Sequence, residues 1–234
     1  MNYFKYDGQA SNVLGLWIEH RPVITTARRV VESITVPGRN GSLLFDTGAY
    51  ENVTVTYQVA YKDGGQYSPL YSIASWIAEW LNQGRYCTLE DTYYPTIVRK
   101  AVFVSPLNVT DILGVAGRAN ITFSCKPQKY IKSSQSAIPN LHSGDTLYYS
   151  WAGSPIITTT GNGTVLINGT SVKVTGATGS VVINCEDQTI EQNGTNASSL
   201  VTLTNGFPSI VIGNNTFSWT GFTSVSVIPN VWTL

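Results

Sequence analysis

The second half of the chain is punctuated repeatedly by turns: Gly161-Asn162-Gly163, Asn168-Gly169-Thr170, Gly176-Ala177-Thr178-Gly179, Asn193-Gly194-Thr195 and Ile212-Gly213-Asn214-Asn215. Between them lie short apolar or β-branched runs: "TVLI" at 164–167, "SVKV" at 171–174, "SVVI" at 180–183 and "LVTL" at 200–203. Runs of this kind, broken this often by turn chemistry, predict an antiparallel β-sandwich.

The first half is also β-rich, with a different rhythm. In 53–61, Val53, Val55, Tyr57, Val59 and Tyr61 share one face, while Thr54, Thr56, Gln58 and Ala60 share the other. "NITFSC" at 120–125 repeats the pattern, with Ile121, Phe123 and Cys125 on the apolar side. Residues 30–36 and 97–104 are further strand candidates. One helix is expected at about 69–83, with Ser68 as N-cap, Pro69 at the first position and Gly84 past the end. Its stripe of Leu70, Ile73, Ala74, Ile77, Trp80 and Leu81 has helical spacing and should close a sheet or small barrel.

Charge divides the chain unevenly. Residues 1–130 hold 12 Lys/Arg and 10 Asp/Glu, residues 131–234 hold 2 and 4, and no arginine follows Arg118. This break predicts a first domain over 1–130 and a β-sandwich over 147–234. A Ser/Pro/Gly-rich linker is expected at 131–146. Neither half has the basic excess that phosphate neutralisation requires, so nucleic-acid readout is excluded. The first residues have neither the charged nor the apolar region of a secretory leader, and no run of 18 apolar residues is present. Three cysteines, Cys87, Cys125 and Cys185, are too few and too scattered for a disulfide framework. Cys125, on an apolar strand face, reads as a small buried hydrophobe.

Catalytic constellations are missing. The two histidines, His20 and His142, are far apart, and no nucleophile elbow, phosphate loop or zinc-protease motif occurs. Glu90-Asp91 and Glu186-Asp187 are the only acidic pairs, and neighbours on a strand face opposite sides, so each marks a solvated strand end. The sequence implies no enzyme, no metal and no cofactor. A low-charge surface rich in Tyr and Trp points instead to subunit interfaces.

The most unusual stretch is "TVPGRNGSLLFDTGAYENVTVTY", residues 35–57. The connection from Pro37 to about Glu51 is longer than most hairpin loops, yet it contains Leu43, Leu44 and Phe45 in a row. Pro37 and Gly38 should set a turn, and Asn40-Gly41 suits the positive backbone angles of a tight hairpin. Two readings follow. Pro37, Gly38, Arg39, Asn40, Gly41, Leu43, Leu44 and Phe45 form an arm that buries its apolar residues on a neighbouring subunit, or "SLLF" is a strand on its own domain's core. Arg28, Arg29 and Arg39 either line a channel or pair with acids such as Glu32 and Asp46.

The succession "SITVPGRNGSLLFDTGAYENVTVTYQV", "IAEWLNQGRYCTLEDTYYPTIVRKAVF" and "GRANITFSCKPQKY" resembles the distal tail protein (Dit) family of long-tailed phages infecting Gram-positive bacteria. "GSVVINCEDQTIEQNG" and "NGFPSIVIGNNTFSWTG" are similar to the family's C-terminal region. The resemblance spans nearly the whole chain. It implies a split-barrel-like β domain with one helix, followed by a galectin-like or carbohydrate-module-like β-sandwich. It further implies a homo-hexameric ring at the virion's tail tip, assembled in the host cytoplasm. Such a ring joins the major tail protein to the tail hub, carries receptor-binding or baseplate proteins, and lets DNA pass without specific binding or membrane insertion. A carbohydrate-binding module aiding attachment to the host cell wall is the alternative. Galectins hold galactose with His, Asn, Arg, Glu and a stacking Trp, but this half has no His after 142 and no Arg. Trp151, Trp219 and Trp232 remain as stacking residues or core.

Overall fold

The structure is a computed structural model that describes residues 1–62, 70–106, 109–112 and 116–234. The chain folds into two compact units, one of Met1–Lys129 with Leu234 and one of Tyr130–Thr233. It is mainly β, with one α-helix among the described residues.

The first unit contains β1 (Phe4–Tyr6), β2 (Gln9–Ala10), β3 (Leu16–Ile18), β4 (Arg29–Ile34), β5 (Leu43–Tyr50) and β6 (Val53–Lys62). The helix α1 (Leu70–Leu81) follows, then β7 (Cys87–Asp91), β8 (Ile97–Phe103), β9 (Val109–Ile112) and β10 (Ala116–Ile131). Seven of these strands form a curled sheet in the order β2-β1-β7-β8-β10-β6-β3, and β9 also pairs with β10. The long β6–β10 ladder runs in register from Ala116 opposite Lys62 to Cys125 opposite Val53. That register puts Val53, Val55, Tyr57 and Val59 on the same buried face as Ile121, Phe123 and Cys125. Period-two alternation in the sequence therefore translates directly into one apolar sheet face.

α1 closes that face. Ile77 and Leu81 are buried against it, and the Trp80 indole N–H donates to the Tyr6 carbonyl at 3.2 Å. Phe4 stacks on Tyr57 with ring centres 5.0 Å apart and on Trp80 at 5.7 Å, while Tyr6 and Phe123 lie 4.9 Å apart. Such aromatic contacts add to the burial of large rings. The expected N-cap Ser68 and Pro69 lie outside the described residues, as do the side chains of Leu70 and Ile73.

The second unit begins within β10. It continues through β11 (Thr146–Tyr149), β12 (Ile156–Thr160), β13 (Gly163–Ile167), β14 (Thr170–Val174), β15 (Ser180–Asn184) and β16 (Thr189–Gln192). β17 (Thr195–Asn196), β18 (Val201–Thr204), β19 (Gly213–Thr220), β20 (Ser224–Ile228) and β21 (Trp232–Thr233) complete it. Two five-stranded antiparallel sheets, β11-β19-β13-β14-β18 and β17-β16-β15-β12-β20, contribute the inward residues of one core. Ile157, Ile167, Ile183 and Phe217 are among its fully buried side chains. Asn168-Gly169 and Asn193-Gly194 are two-residue hairpin turns, with Ile167 paired to Thr170 and Gln192 to Thr195.

Residues 131–146, expected as a linker, are folded into this second unit. Ile131 donates its N–H to the Val231 carbonyl at 3.0 Å and Ile138 to Val227 at 2.9 Å, while Ile138 and Leu141 pack on the core. The stretch lacks periodicity because its backbone bonds go to other loops and strands, not because it is free. Trp232–Thr233 pair with β10, and both residues belong to the second unit.

Candidate functional site

Residues 29–50 form an antiparallel hairpin of their own. β4 and β5 pair only with each other among the described strands, and none of their residues belongs to the first unit's core. Ile34 lies opposite Leu43, Ser33 opposite Leu44, Glu32 opposite Phe45 and Val31 opposite Asp46. Cross-strand partners share a face, so Ile34, Leu43 and Phe45 form an apolar stripe on one side. Val31 and Leu44 fall on the other. All five are exposed, from 45% for Leu43 to 68% for Leu44.

Why these residues make a hairpin is local. Pro37-Gly38 occupy the middle of a turn closed by the Arg39 N–H donating to the Val36 carbonyl at 3.2 Å, with Gly38 at φ 78°. A proline followed by a residue at positive φ is the type II signature, and glycine alone adopts it without a Cβ penalty. Asn40 does not take the positive φ expected for a tight Asn-Gly turn; only Gly41 does. Residues 35–42 thus form a longer connection in which Pro37-Gly38 do the turning. The register shifts between Arg29 and Val31. There the Thr47 hydroxyl donates to the Val30 carbonyl at 2.9 Å and the Gly48 N–H donates to Asp46 Oδ1 at 2.9 Å.

At this bulge Arg29 donates to Asp46 Oδ2 at 2.6 Å, and its guanidinium lies 5.7 Å from the Tyr50 ring centre. The Arg29 hydrogen bond, helped by the Gly48 N–H, holds the Asp46 carboxyl below its ordinary range, and the same bond raises Arg29. Of the expected cluster of Arg28, Arg29 and Arg39, then, Arg29 is paired to an acid.

The two readings of "SLLF" separate on this geometry. Leu43, Leu44 and Phe45 are in a strand, but that strand does not fold on its own domain's core. Pro37, Gly38, Arg39, Asn40 and Gly41 are in the exposed tip connection. Sequence reasoning missed Val31 and Ile34, which complete the two apolar faces. The signal was present: "RVVESI" and "LLFDTGAY" are both β-rich runs on either side of a Pro-Gly turn.

The two acidic pairs stand at strand ends, as expected from sequence, Glu90-Asp91 closing β7 and Glu186-Asp187 following β15, and one acid of each pair is also hydrogen-bonded into the fold. Asp91 accepts from the Tyr57 hydroxyl at 2.9 Å and caps the following turn through the Tyr93 and Tyr94 N–H groups. Glu186 accepts from Tyr130 at 2.6 Å and from Asn230 at 2.8 Å. Burial, then the facing carboxylate, pushes the Tyr57 and Tyr130 hydroxyls up. Both acids have a structural task. All three cysteines are buried and unbridged, and burial pushes the Cys125 and Cys185 thiols up to about 12. No group of three or more His, Cys, Asp or Glu among the described residues is placed to hold a metal ion. No helix among the described residues is long and apolar enough to cross a membrane.

A curled sheet closed by one helix, carrying a free apolar hairpin and followed by a β-sandwich, matches a known class. Residues 18–125 match the family model of a phage tail protein RIFT-related domain. The resemblance to the distal tail proteins drawn from the sequence motifs holds for the fold as well. The crystal structure of the Dit protein of phage SPP1, described as a paradigm of the hub adsorption apparatus in phages infecting Gram-positive bacteria, superposes with a TM-score of 0.68. The match covers 97% of both chains at 11% identity. Chains of the phage p2 baseplate in its activated conformation match with TM-scores of 0.58 with calcium and 0.56 with strontium, each at 10% identity over 97% of both chains. No curated protein matches the sequence.

Proposed function

We propose that this protein is a structural, non-enzymatic component of a phage tail tip that closes into a hexameric ring through its first unit. The observation that carries the reading is the β4–β5 hairpin. A lone two-stranded hairpin is marginally stable in water, and contiguous exposed apolar residues are the mark of an interface. Burying a Leu or Phe side chain contributes roughly 1.5–3 kcal/mol. The stripe of Ile34, Leu43 and Phe45 therefore gives each contact a substantial gain once it is covered. Head-to-tail contacts, in which each subunit donates one patch and accepts another, close into a ring when the rotation from one subunit to the next divides a full turn.

Fold likeness to the hub protein of SPP1 and to the p2 baseplate supports the placement in a virion. In this reading Pro37, Gly38, Arg39, Asn40 and Gly41 shape the arm's tip, and Leu43, Leu44 and Phe45 are its contact residues. The ring joins the major tail protein to the tail hub and anchors receptor-binding or baseplate proteins. DNA passes through it without sequence readout, and assembly takes place in the host cytoplasm.

Negative-stain imaging of the purified protein, with light-scattering mass on the same fractions, tests this. Six-fold rings, single or stacked, are the expected result. A monomer at every concentration, alone and after mixing with its tail-tube and hub neighbours, rules the ring out.

A further inference from the structure

Five Asn-Gly pairs occur in the chain, at Asn40, Asn162, Asn168, Asn193 and Asn205. Such a pair carries its own reaction, because the asparagine Cγ is one ring closure away from the next peptide nitrogen. A glycine there has no Cβ to block the approach. The fold decides which pairs can close that ring, and four of them are held. Asn168 Nδ2 donates to the Ser209 carbonyl at 3.0 Å and to Asn215 Oδ1 at 2.7 Å, while its Oδ1 accepts from the Thr216 N–H at 3.1 Å. Asn162 Oδ1 accepts from the Ala177 N–H at 2.9 Å, and Gly163 is paired with Val174 and pressed against the Thr220 carbonyl oxygen. Asn193 sits at φ 52° in the two-residue turn whose flanks, Gln192 and Thr195, are paired. Asn205 is at φ 66°, directly after Thr204, which is paired with Ser171. Ring closure swings the asparagine's own backbone, so each of these last two must first break the turn it completes.

Asn40 is under none of these constraints. It is exposed at the tip of the β4–β5 hairpin, and its φ lies outside the left-handed region. Among the described residues, neither its side-chain amide nor the Gly41 N–H has a hydrogen-bond partner. The Pro37-Gly38 turn closes at the Arg39 N–H, one residue before Asn40. No atom lies within 4 Å of the position a Gly41 Cβ would take, so the nitrogen that must move stands in open space. Few backbone bonds and full exposure are what allow a segment to open locally at little cost.

We propose that Asn40 is a site of spontaneous deamidation and isomerisation, the Asn-Gly pair that reacts while the protein is folded. The Gly41 peptide nitrogen gives its proton to hydroxide and attacks Asn40 Cγ. The N–Cγ bond forms, the Cγ–Nδ2 bond breaks, and ammonia leaves with a proton from water, which regenerates the hydroxide. A five-membered succinimide remains, and water opens it. Attack at Cγ breaks the new N–Cγ bond and leaves an aspartate. Attack at the main-chain carbonyl breaks the original peptide bond and leaves an isoaspartate, with the chain running through Cγ. Water is consumed and ammonia released, with no oxidant or enzyme. Either product adds a negative charge to a chain of formal net charge zero, close in sequence to Leu43, Leu44 and Phe45. Burying an unpaired carboxylate is costly. On the reading of the hairpin as an assembly arm, reacted subunits are therefore the least able to dock.

The full chain is held in mildly alkaline buffer, sampled over days and cut after glutamate. Fragment 33–51 contains Asn40 as its only side-chain amide, so the mass gain of an amide-to-acid exchange there reports this site alone. Isoaspartyl methyltransferase labelling identifies the rearranged backbone, and fragmentation spectra follow the other four sites. A parallel sample in guanidinium gives each site's unfolded rate. Folded, Asn40 should react within about threefold of its unfolded rate and the other four at least about tenfold below theirs, a protection equivalent to about 1.4 kcal/mol of local closing. In Asn40→Gln, fragment 33–51 should gain no mass over the same period, because the corresponding ring has six members and closes slowly. An Asn40 that stays intact in the folded protein while reacting in guanidinium overturns the proposal, as does folded-state reaction at any of the other four as fast as at Asn40. Light scattering keeps the incubation at a concentration where the chain is monomeric, so protection of the tip by assembly is distinguished from failure of the chemistry.

Discussion

Arg29 and Asp46 meet at 2.6 Å across the one register shift in the β4–β5 hairpin, and both remain open to solvent. The Asp46 carboxyl is held below its ordinary value of 3.8 by this partner. A group whose folded value is depressed contributes stability that is complete at neutral pH and is lost as pH falls through the lowered value. We expect the hairpin's base to loosen only below about pH 4. A carboxyl-carbon NMR titration should place Asp46 below 3.8 in the native protein and return it toward 3.8 in Arg29→Gln. An unshifted Asp46 would show that the pair does not persist in solution.

The hairpin separates its apolar residues by face, and this makes assembly separable by mutation. Leu43→Ser and Phe45→Ser remove neighbours on one face, and Leu44→Ser removes the main apolar group on the other. Each of the first two should weaken a ring interface by roughly 1.5–3 kcal/mol and raise the concentration needed for assembly about ten- to a hundredfold. The isolated subunit's melting temperature should barely move, since exposed substitutions stay within about 0.5 kcal/mol. Light scattering over a concentration series measures the first effect and thermal denaturation the second. Normal rings in the double variant Leu43→Ser/Phe45→Ser would remove the arm from the interface.

Phe123 is fully buried and faces Phe4, Tyr6, Tyr57 and Phe103. Truncation there leaves a cavity in the aromatic cluster of the first unit. Phe123→Ala should cost about 3–5 kcal/mol, read as a lower midpoint in urea with the second unit's transition unchanged. A loss below about 1 kcal/mol would mean that the cluster repacks.

Gly153 has no room for a methyl group beside Pro229 and Val231. Gly153→Ala should destabilise the second unit by about 1–3 kcal/mol, whereas Gly194→Ala meets no atom within 4 Å and pays only for its positive φ. Paired thermal melts of the two variants test the ranking. A larger loss at Gly194 would reverse it.

Cys87, Cys125 and Cys185 are all buried, and burial raises each thiol. Because the thiolate is the reactive form, an aromatic disulfide reagent at about pH 8 should label none of them in the native protein within minutes. All three should react after guanidinium denaturation. Fast native labelling of any one would indicate local opening of its strand.

The strands 53–61 and 120–125 were legible because their alternation is strict and one face meets a core. Leu70–Leu81 was legible as a helix from its spacing, and its C-terminal end falls within two residues of the one expected. The second unit was legible from its turns. β5 was read as a strand only in one of two open readings and only over "SLLF", and its full span to Tyr50 was not seen, because both of its sides face solvent and no burial imposes a polar–apolar alternation on it. The close approach of Gly153 to Pro229 was not legible either. The two are far apart in the chain, and no local pattern records their meeting.

By itself the sequence determined what periodicity and turn chemistry can encode: a β-rich chain, one helix, two compositional halves and a Pro-Gly turn before an apolar triplet. Those signals are local, set by backbone sterics and by which side of an element is dry. Tertiary structure alone decided which strands pair, that 131–146 belong to a folded unit, and that Leu43 and Phe45 stand on the opposite face from Leu44. Pairing and burial are non-local, fixed by contacts between residues far apart in the chain, so a lone apolar run could not reveal whether its partner lay in the same subunit.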